Sequence, residues 1–136
     1  MNSLNKQNKA VSENKLTEPF LERCVRFSVC ILDLAQTIPK TPVTRPVIDQ
    51  LVRSSMAIGA NTSEAKSAQS RADFISKFEI ALKEARETGY WIEVVRQAHL
   101  TPDAVGIKEL AGECYQLTAI LVSSVKTAKQ NAKTRK

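Results

Sequence analysis

The chain has 136 residues, of which 43% are hydrophobic and only 5% aromatic, and it contains 4 glycines and 5 prolines. This length supports one domain with a single core, and the low content of glycine and proline disfavours a turn-rich β-fold. No apolar run approaches the roughly 18 residues of a membrane span, and the polar N-terminus lacks the apolar core of a signal peptide. We therefore expect a cytoplasmic protein with no membrane partner.

The net charge of +6 is concentrated at the two ends of the chain. Residues 1–16 carry +2 and residues 126–136 carry +5, whereas residues 17–125 carry −1. We therefore predict a flexible polar N-terminal arm over 1–16, a folded domain over 17–125 and a basic C-terminal tail over 126–136. The tail is either a solvated, frayed end or an arm for RNA, DNA or an acidic partner. The second interpretation assigns nucleic-acid contacts to Lys126, Lys129, Lys133, Arg135 and Lys136.

The first predicted helix follows Thr17-Glu18-Pro19, which combines a capping-type residue with an early proline. Apolar residues then recur at steps of three and four, which is typical of one buried helix face: Phe20, Cys24, Phe27, Ile31, Leu34 and Ile38. Prolines at 39, 42 and 46 exclude a continuous helix beyond this point, because proline lacks the amide donor.

The second predicted helix begins near Thr44, has Pro46 in its first turn and runs to about Gln69. Its inner stripe is unusually small and polar: Val47, Leu51, Ser54, Ile58, Asn61 and Ala65. Gly59 should cost this helix about 1 kcal/mol relative to alanine, which indicates that a neighbouring backbone needs the space.

The last two predicted helices have clear start signals. Ser70 is the expected N-cap of the third, with Asp73 as its capping-box partner, and this helix ends near His99. Its expected stripe is Phe74, Phe78, Ala81, Ala85, Ile92 and Val95. Thr101-Pro102 precedes the fourth helix, with the stripe Val105, Leu110, Cys114, Leu117, Leu121 and Val125. Four amphipathic helices with short connections predict an all-α, antiparallel up-down-up-down four-helix bundle.

The polar residues of the second helix need partners if they are buried. We predict that Arg53, Asn61 and Glu64 meet groups of the third helix or of another subunit. Such a network would specify register more than it adds stability. The alternative is that these side chains face water. The residues of the predicted network are Arg53, Ser54, Asn61, Glu64, Lys83, Glu84, Glu87 and Trp91.

The stretch QLVRSSMAIGANTSEA, followed by SRADFISKFEIALKEARETGYWIEVV, resembles the 23S rRNA intervening-sequence protein family, also described as four helix bundle proteins. The resemblance covers roughly residues 18–125. It departs from the family pattern at Ala57, where serine is common, and at Thr62, where a larger apolar residue is common. The pattern is matched at Gln50, Leu51, Arg53, Ser54, Ile58, Asn61, Glu64, Ala65, Phe74, Lys77, Ile80, Ala81, Lys83, Glu84, Ala85, Glu87, Thr88, Tyr90 and Trp91.

The resemblance implies a short left-handed bundle that assembles as a homopentamer around a central channel, without enzymatic activity. It also implies an open reading frame of the kind found inside insertions in bacterial large-subunit rRNA genes. A related branch comprises accessory proteins of diversity-generating retroelements, which bind the reverse transcriptase and nucleic acid through a basic surface.

The residues needed for catalysis or for a cofactor are not found together in the sequence. His99 is the single histidine, so the two Glu-x-x-His pairs of a di-iron bundle cannot form. Cys24 and Cys30 lie about 240° apart around a helix, and Cys114 stands alone, so no zinc set is indicated. We expect no cofactor, no metal and no enzyme, with His99 as an exposed residue at a helix end.

The expected function is therefore that of a non-enzymatic, pentameric interaction or assembly module that contacts RNA or DNA electrostatically. Aromatic residues are missing from the basic tail, so base stacking is not indicated there. The alternative is an adaptor for a protein partner such as a retroelement reverse transcriptase.

Overall fold

The computed structural model describes residues 19–134, which form four helices: α1 (Phe20–Ala35), α2 (Arg45–Lys66), α3 (Arg71–Gln97) and α4 (Ala104–Thr134). Consecutive helices run antiparallel and pack as neighbours, and α4 closes the bundle against α1. Over the described range, the diagonal pairs α1–α3 and α2–α4 have no Cα atoms within 8 Å of each other. The predicted all-α four-helix bundle is confirmed. The predicted arm, Thr17, Glu18, Arg135 and Lys136 lie outside the described residues.

One hydrophobic core runs along the centre of the bundle. The predicted stripe of α1 is buried from Cys24 to Ile38, as its spacing required. On α4 the stripe starts later than predicted, because Val105 is 63% exposed and Ile107 is buried in its place. Ile107 lies in register with the buried residues that follow it at steps of three and four, whereas Val105 lies outside that spacing: Leu110, Cys114, Leu117 and Leu121.

The helix ends follow local capping chemistry. Ser70 Oγ accepts a hydrogen bond from the Asp73 amide at 3.0 Å, which confirms Ser70 as the N-cap of α3. Ser70 is extended, as an N-cap residue usually is. Helix α2 ends before it, at Lys66, three residues earlier than the expected end near Gln69. At the other end of α3, His99 adopts a left-handed conformation with φ 54°. The Leu100 amide then bonds the Val95 carbonyl, as in a Schellman motif.

Helix α4 does not end where its apolar pattern fades. The expectation of a frayed segment after Val125 is wrong for residues 126–134, which are helical to Thr134. Ala128 is buried, and Lys129 Nζ lies 2.6 Å from Glu79 Oε1 of α3. The Lys129–Glu79 ion pair attaches this segment to α3, so the lysines of this segment are presented by an ordered helix.

Gly59 lies where α2 packs closely against α1. A Cβ atom placed on it would lie 3.3 Å from the Cβ atom of Cys24, closer than ordinary van der Waals contact. The space predicted from the sequence is therefore used by the backbone of α1. This close approach sets the separation of the two helices and with it the position of the residues that follow Cys24.

Candidate functional site

Arg53 of α2 forms the centre of a polar cluster with α3. Its Nη1 atom lies 3.2 Å from Glu84 Oε2, and its Nη2 atom contacts Glu87 Oε2. Trp91 Nε1 donates to the same Glu87 oxygen at 3.4 Å, and Gln50 Oε1 accepts from Arg53 Nε at 3.2 Å. The structure therefore brings together four residues of the predicted network, Arg53, Glu84, Glu87 and Trp91. We call these four residues and Gln50 the Arg53 cluster.

The Arg53 cluster is only partly buried. The Arg53 side chain is 48% exposed, whereas those of Glu84 and Glu87 are 11% and 33% exposed. Beneath it, the hydroxyl oxygens of Ser54 and Thr88 lie 2.9 Å apart and are fully buried. Water therefore reaches the ions but not the hydroxyl pair, and the arrangement holds the register of α2 against α3.

Three other residues of the predicted network lie outside the Arg53 cluster. Asn61 Nδ2 donates to the Ala57 carbonyl of its own helix at 2.8 Å, because an asparagine inside a helix can bond the preceding turn. Glu64 pairs with Lys77 of α3 at 2.8 Å, about three turns of α2 beyond Arg53 along the same seam. Lys83 is exposed on α3.

A second polar cluster, between α1 and α4, was not predicted from the sequence. Arg23 Nη2 lies 2.5 Å from Glu113 Oε1, and Arg23 Nε donates to Glu113 Oε2 at 3.2 Å. Gln116 Oε1 accepts a further bond from Nη2 at 3.1 Å. We call these three residues the Arg23 cluster. Arg23 and Glu113 are only 4% and 8% exposed, so this bidentate pair is buried.

The sequence does contain a signal for the Arg23 cluster. Arg23 stands four residues before Phe27, and Glu113 stands between Leu110 and Leu117, so each charge borders an apolar stripe. Charges of opposite sign beside the stripes of two helices are candidates for a buried pair. Because Arg23 and Glu113 are 90 residues apart in the sequence, their pairing becomes evident only in the folded bundle.

The C-terminal lysines of α4 are exposed to solvent. Lys126, Lys129 and Lys133 are all exposed on the helix, at spacings of three and four residues that place them on one side. Lys129 is partly neutralised by Glu79, and the other two extend the positive charge toward the end of the chain. This surface is suited to phosphate groups, which bind lysine as a point charge.

The outer face of α1, next to α2, carries exposed apolar side chains. Val25, Val29 and Leu32 of α1 are 55%, 37% and 39% exposed. A shallow depression of about 450 Å³ lies over this side of α1, lined by Leu21, Glu22, Val25, Arg26 and Val29. Val52 and Met56 of α2, which are half-buried, share a side with Gly59 and therefore border α1. We call this surface the α1–α2 face.

The three thiols are free and buried. Burial raises the pKa of Cys24 to about 12 and the pKa values of Cys30 and Cys114 to about 11, from an ordinary value of 9.0. Protonated thiols are poor nucleophiles and poor metal ligands. Over residues 19–134, no three His, Cys, Asp or Glu side chains converge in a way that could hold a metal ion. His99 is exposed and lies at the end of α3, as expected.

Comparison with known proteins identifies a matching family and a similar solved structure. The family model described as "23S rRNA-intervening sequence protein" matches residues 19–123. A crystal structure of a protein of unknown function from the S23 ribosomal protein family of Bacteroides thetaiotaomicron is 34% identical, with a TM-score of 0.66. The match covers 79% of this chain and 99% of that one. No curated protein matches the chain. Within the described residues, no helix is both long and apolar enough to cross a membrane.

Proposed function

The chain belongs to the 23S rRNA-intervening sequence protein family, and we propose that it works as a self-assembling, non-enzymatic module that binds nucleic acid through its basic surface. The observation that carries the proposal is the exposed α1–α2 face. Large exposed apolar surfaces on a small domain are costly in water and mark interaction sites. The buried, protonated thiols agree with work in a reducing cytoplasm and offer no nucleophile.

A second copy of the chain is the occupant that we assign to the α1–α2 face. The centre of the face is aliphatic, and Glu22 and Arg26 at its border supply one charge of each sign. Such a border tolerates another copy of a nearly neutral bundle better than a strongly charged partner. We propose a ring of five copies, in which this face packs against a different face of the next copy, since rings need heterologous contacts.

The mass of the purified protein in solution tests the assembly. We expect light scattering to give five times the 15.1 kDa of one chain. A Val25→Glu/Val29→Glu variant should dissociate, because two carboxylates would have to be buried in the interface. Val105→Glu is the matched control, since Val105 is 63% exposed on α4, away from the α1–α2 face. A wild-type protein of 15.1 kDa at every concentration would refute self-assembly.

Nucleic-acid binding is assigned first to the exposed lysines of α4. Lys126 and Lys133 point away from the core on an ordered helix, and a ring would repeat them around one end. Replacing both by glutamine should weaken binding and lower the slope of log K against log salt by about 1.5 per subunit contacted. Lys40→Gln/Arg45→Gln removes the same charge elsewhere and should leave the slope unchanged.

Equal slopes for the two double variants would refute binding through α4. If neither RNA nor DNA binds at low salt, the nucleic-acid part of the proposal is wrong. The alternative of an adaptor for a protein partner, such as a reverse transcriptase, would then remain for the same exposed surfaces.

A further inference from the structure

We infer that the outer side of α4 is the surface on which the α1–α2 face of the neighbouring copy packs. This inference rests on the proposed self-assembly and names the second of the two surfaces that a ring requires. We call this surface the α4 stripe. It consists of four exposed residues that follow one another at steps of three and four: Gly112, Tyr115, Ala119 and Val122.

Exposed apolar side chains are not spread evenly over the four helices. Of the nine large hydrophobic side chains that are exposed within residues 19–134, six belong to α1 and α4, and α2 contributes none. Helix α3 contributes two, Ile80 and Tyr90, whose ten-residue separation places them about 80° apart around the helix. The α4 stripe is therefore the second continuous apolar surface among the described residues, beside the α1–α2 face.

The α4 stripe is open to solvent in a single copy. Tyr115 and Val122 are 77% and 41% exposed, and Gly112 and Ala119 are exposed as well. A Cβ atom placed on Gly112 would have no heavy atom within 4 Å. Small and large residues alternate along the stripe, which leaves a hollow at each small residue. Such a row can receive the side chains of another helix as knobs in holes.

The α4 stripe and the α1–α2 face lie on different sides of one copy. Val122 precedes Lys129 by seven residues, and Lys129 contacts Glu79 of α3, so the stripe lies on the flank of α4 toward α3. The α1–α2 face lies on the flank of α1 toward α2. Neither surface covers the other within one chain. Two different surfaces that fit each other make a heterologous contact, which is the kind that closes a ring.

Helix α1 and the α4 stripe can pack in antiparallel directions. Consecutive helices alternate in direction, so α1 and α4 are antiparallel. A ring keeps every copy in the same orientation to its axis, so bundles that stand along the axis bring α1 against an antiparallel α4. The exposed residues of α1 advance by four and then three, and the α4 stripe has the same steps when it is followed backwards from Ala119. Three layers result: Val25 on Ala119, Val29 on Tyr115 and Leu32 on Gly112.

The sizes of the side chains agree with this alignment. Leu32, the largest of the three α1 side chains, meets the open space at Gly112. The Tyr115 ring meets the smaller Val29, and no layer places two large side chains together. Close packing of this kind excludes water from the apolar layers, which is the main source of stability in an interface.

The charges at the ends of the helices agree with it as well. Glu22 lies in the first turn of α1, and in this alignment it comes within about one turn of Lys126 of α4. Both side chains are exposed in a single copy, so opposite charges meet at the rim of the contact. A shift of seven residues would instead place Val25 on Lys126. Val105 lies past the end of α1 at Ala35 and stays outside the contact.

A disulfide between two copies tests the alignment directly. Val25→Cys and Ala119→Cys chains, co-expressed with different affinity tags, should form a mixed disulfide on mild oxidation, because their Cβ atoms lie close in the contact. We expect a reducible species of twice the 15.1 kDa of one chain that carries both tags. The native thiols should not interfere, because they are buried and protonated. Val25→Cys with Lys83→Cys is the matched control, since Lys83 stands one turn before Glu87, on the side of α3 toward α2.

A single charge in the α4 stripe provides the second measurement. Ala119→Glu places a carboxylate among the apolar layers, so we expect the mass from light scattering to fall to 15.1 kDa. Ala72→Glu is the matched control, because Ala72 is an exposed alanine on α3, and it should keep the mass of the wild type. Both alanines are exposed in a single copy, so the helical content measured by circular dichroism should stay unchanged.

The outcomes separate this inference from the proposed function. A wild-type mass for Ala119→Glu, or the absence of the mixed disulfide, overturns the inference. If Val25→Glu/Val29→Glu still dissociates in that case, self-assembly stands and the α1–α2 face packs on another surface. Disulfides between two Val25→Cys chains in place of the mixed species would show that the α1–α2 face packs on itself, which also overturns the inference. A wild-type protein of 15.1 kDa at every concentration refutes both.

Discussion

Arg23 and Arg53 each connect two helices through carboxylates, but they do so in opposite surroundings. Arg23 is 4% exposed between α1 and α4, whereas the Arg53 side chain is 48% exposed between α2 and α3. Burial strengthens the attraction between the charges of the Arg23 cluster and makes the loss of one partner costly. Exposure leaves the Arg53 cluster hydrated and screened by salt.

This difference shows that the same pair of residue types can have two roles in one small bundle. The Arg23 cluster can be satisfied in only one register of α1 against α4, because any shift would bury a charge without its partner. The Arg53 cluster lies over a buried hydroxyl pair and small side chains that already allow α2 and α3 to approach closely. Its ions add specificity to a seam that packing stabilises.

Removing the buried carboxylate should have the largest effect. We expect Glu113→Ala to lower the free energy of unfolding by about 3 kcal/mol, because the Arg23 guanidinium stays buried without its main partner. The measurement is urea unfolding followed by circular dichroism. An Arg23→Met/Glu113→Leu variant is the control and should recover most of the loss, since it removes both charges. A loss below about 1 kcal/mol for Glu113→Ala would contradict a buried pair.

Enlarging Gly59 should disturb the Arg23 cluster without touching the Arg53 cluster. Gly59→Leu would force α1 outward at Cys24, the neighbour of Arg23, and we expect a loss of about 2 kcal/mol from overpacking. The matched control is Gly112→Ala, at a helical glycine with open space, which should stabilise the protein by about 1 kcal/mol. Thermal melting of both variants checks the prediction, which fails if they shift in the same direction.

Truncating the exposed arginine should have a smaller effect that depends on salt. We expect Arg53→Ala to lower the free energy of unfolding by about 0.5 kcal/mol at low salt and by less at high salt. The effect of Glu113→Ala should change little over the same range of salt. Unfolding curves at two ionic strengths provide the comparison, and a loss above about 2 kcal/mol for Arg53→Ala would show that the Arg53 cluster is buried by another subunit.

The reactivity of the Cys24 thiol is expected to show the smallest difference between variants of the Arg23 cluster and of the Arg53 cluster. Burial is the main cause that raises the pKa of Cys24 to about 12, with a hydrogen bond to Thr62 and the charge of Arg23 lowering it and Glu113 raising it. A thiol whose pKa is raised on folding stabilises the native state below pH 9, and this stability is lost as the pH rises toward 12.

Alkylation by iodoacetamide at pH 9 should therefore be slow in the native protein and fast in denaturant. Glu113→Ala should accelerate modification of Cys24, because the pKa falls when the neighbouring negative charge is removed and the local packing loosens. Arg53→Ala should leave the rate unchanged. Mass spectrometry of each cysteine over time distinguishes the two variants, and equal rates would contradict the assignment of Glu113 to the surroundings of Cys24.

Much of the fold and part of the candidate site could be predicted from neighbours along the chain. The stripe of α1, the cap at Ser70 and the space at Gly59 each follow from spacing or local hydrogen bonding. The contact of Arg53 with Glu84 and Glu87 was one of the predicted alternatives, beside contact with another subunit or with water. The prediction for Asn61 was not met in this way, because its side-chain amide donates to the Ala57 carbonyl of its own helix.

Sequence alone determined four amphipathic helices, their order and their antiparallel connection, since helical periodicity and short turns are local properties. Tertiary structure decided the pairing of Arg23 with Glu113 and the helical order of residues 126–134. These features depend on which flanks of α1, α3 and α4 face one another. The packing of side chains that are far apart in the chain determines which flanks meet. A small rotation of one helix would expose a buried side chain to water instead of to its partner.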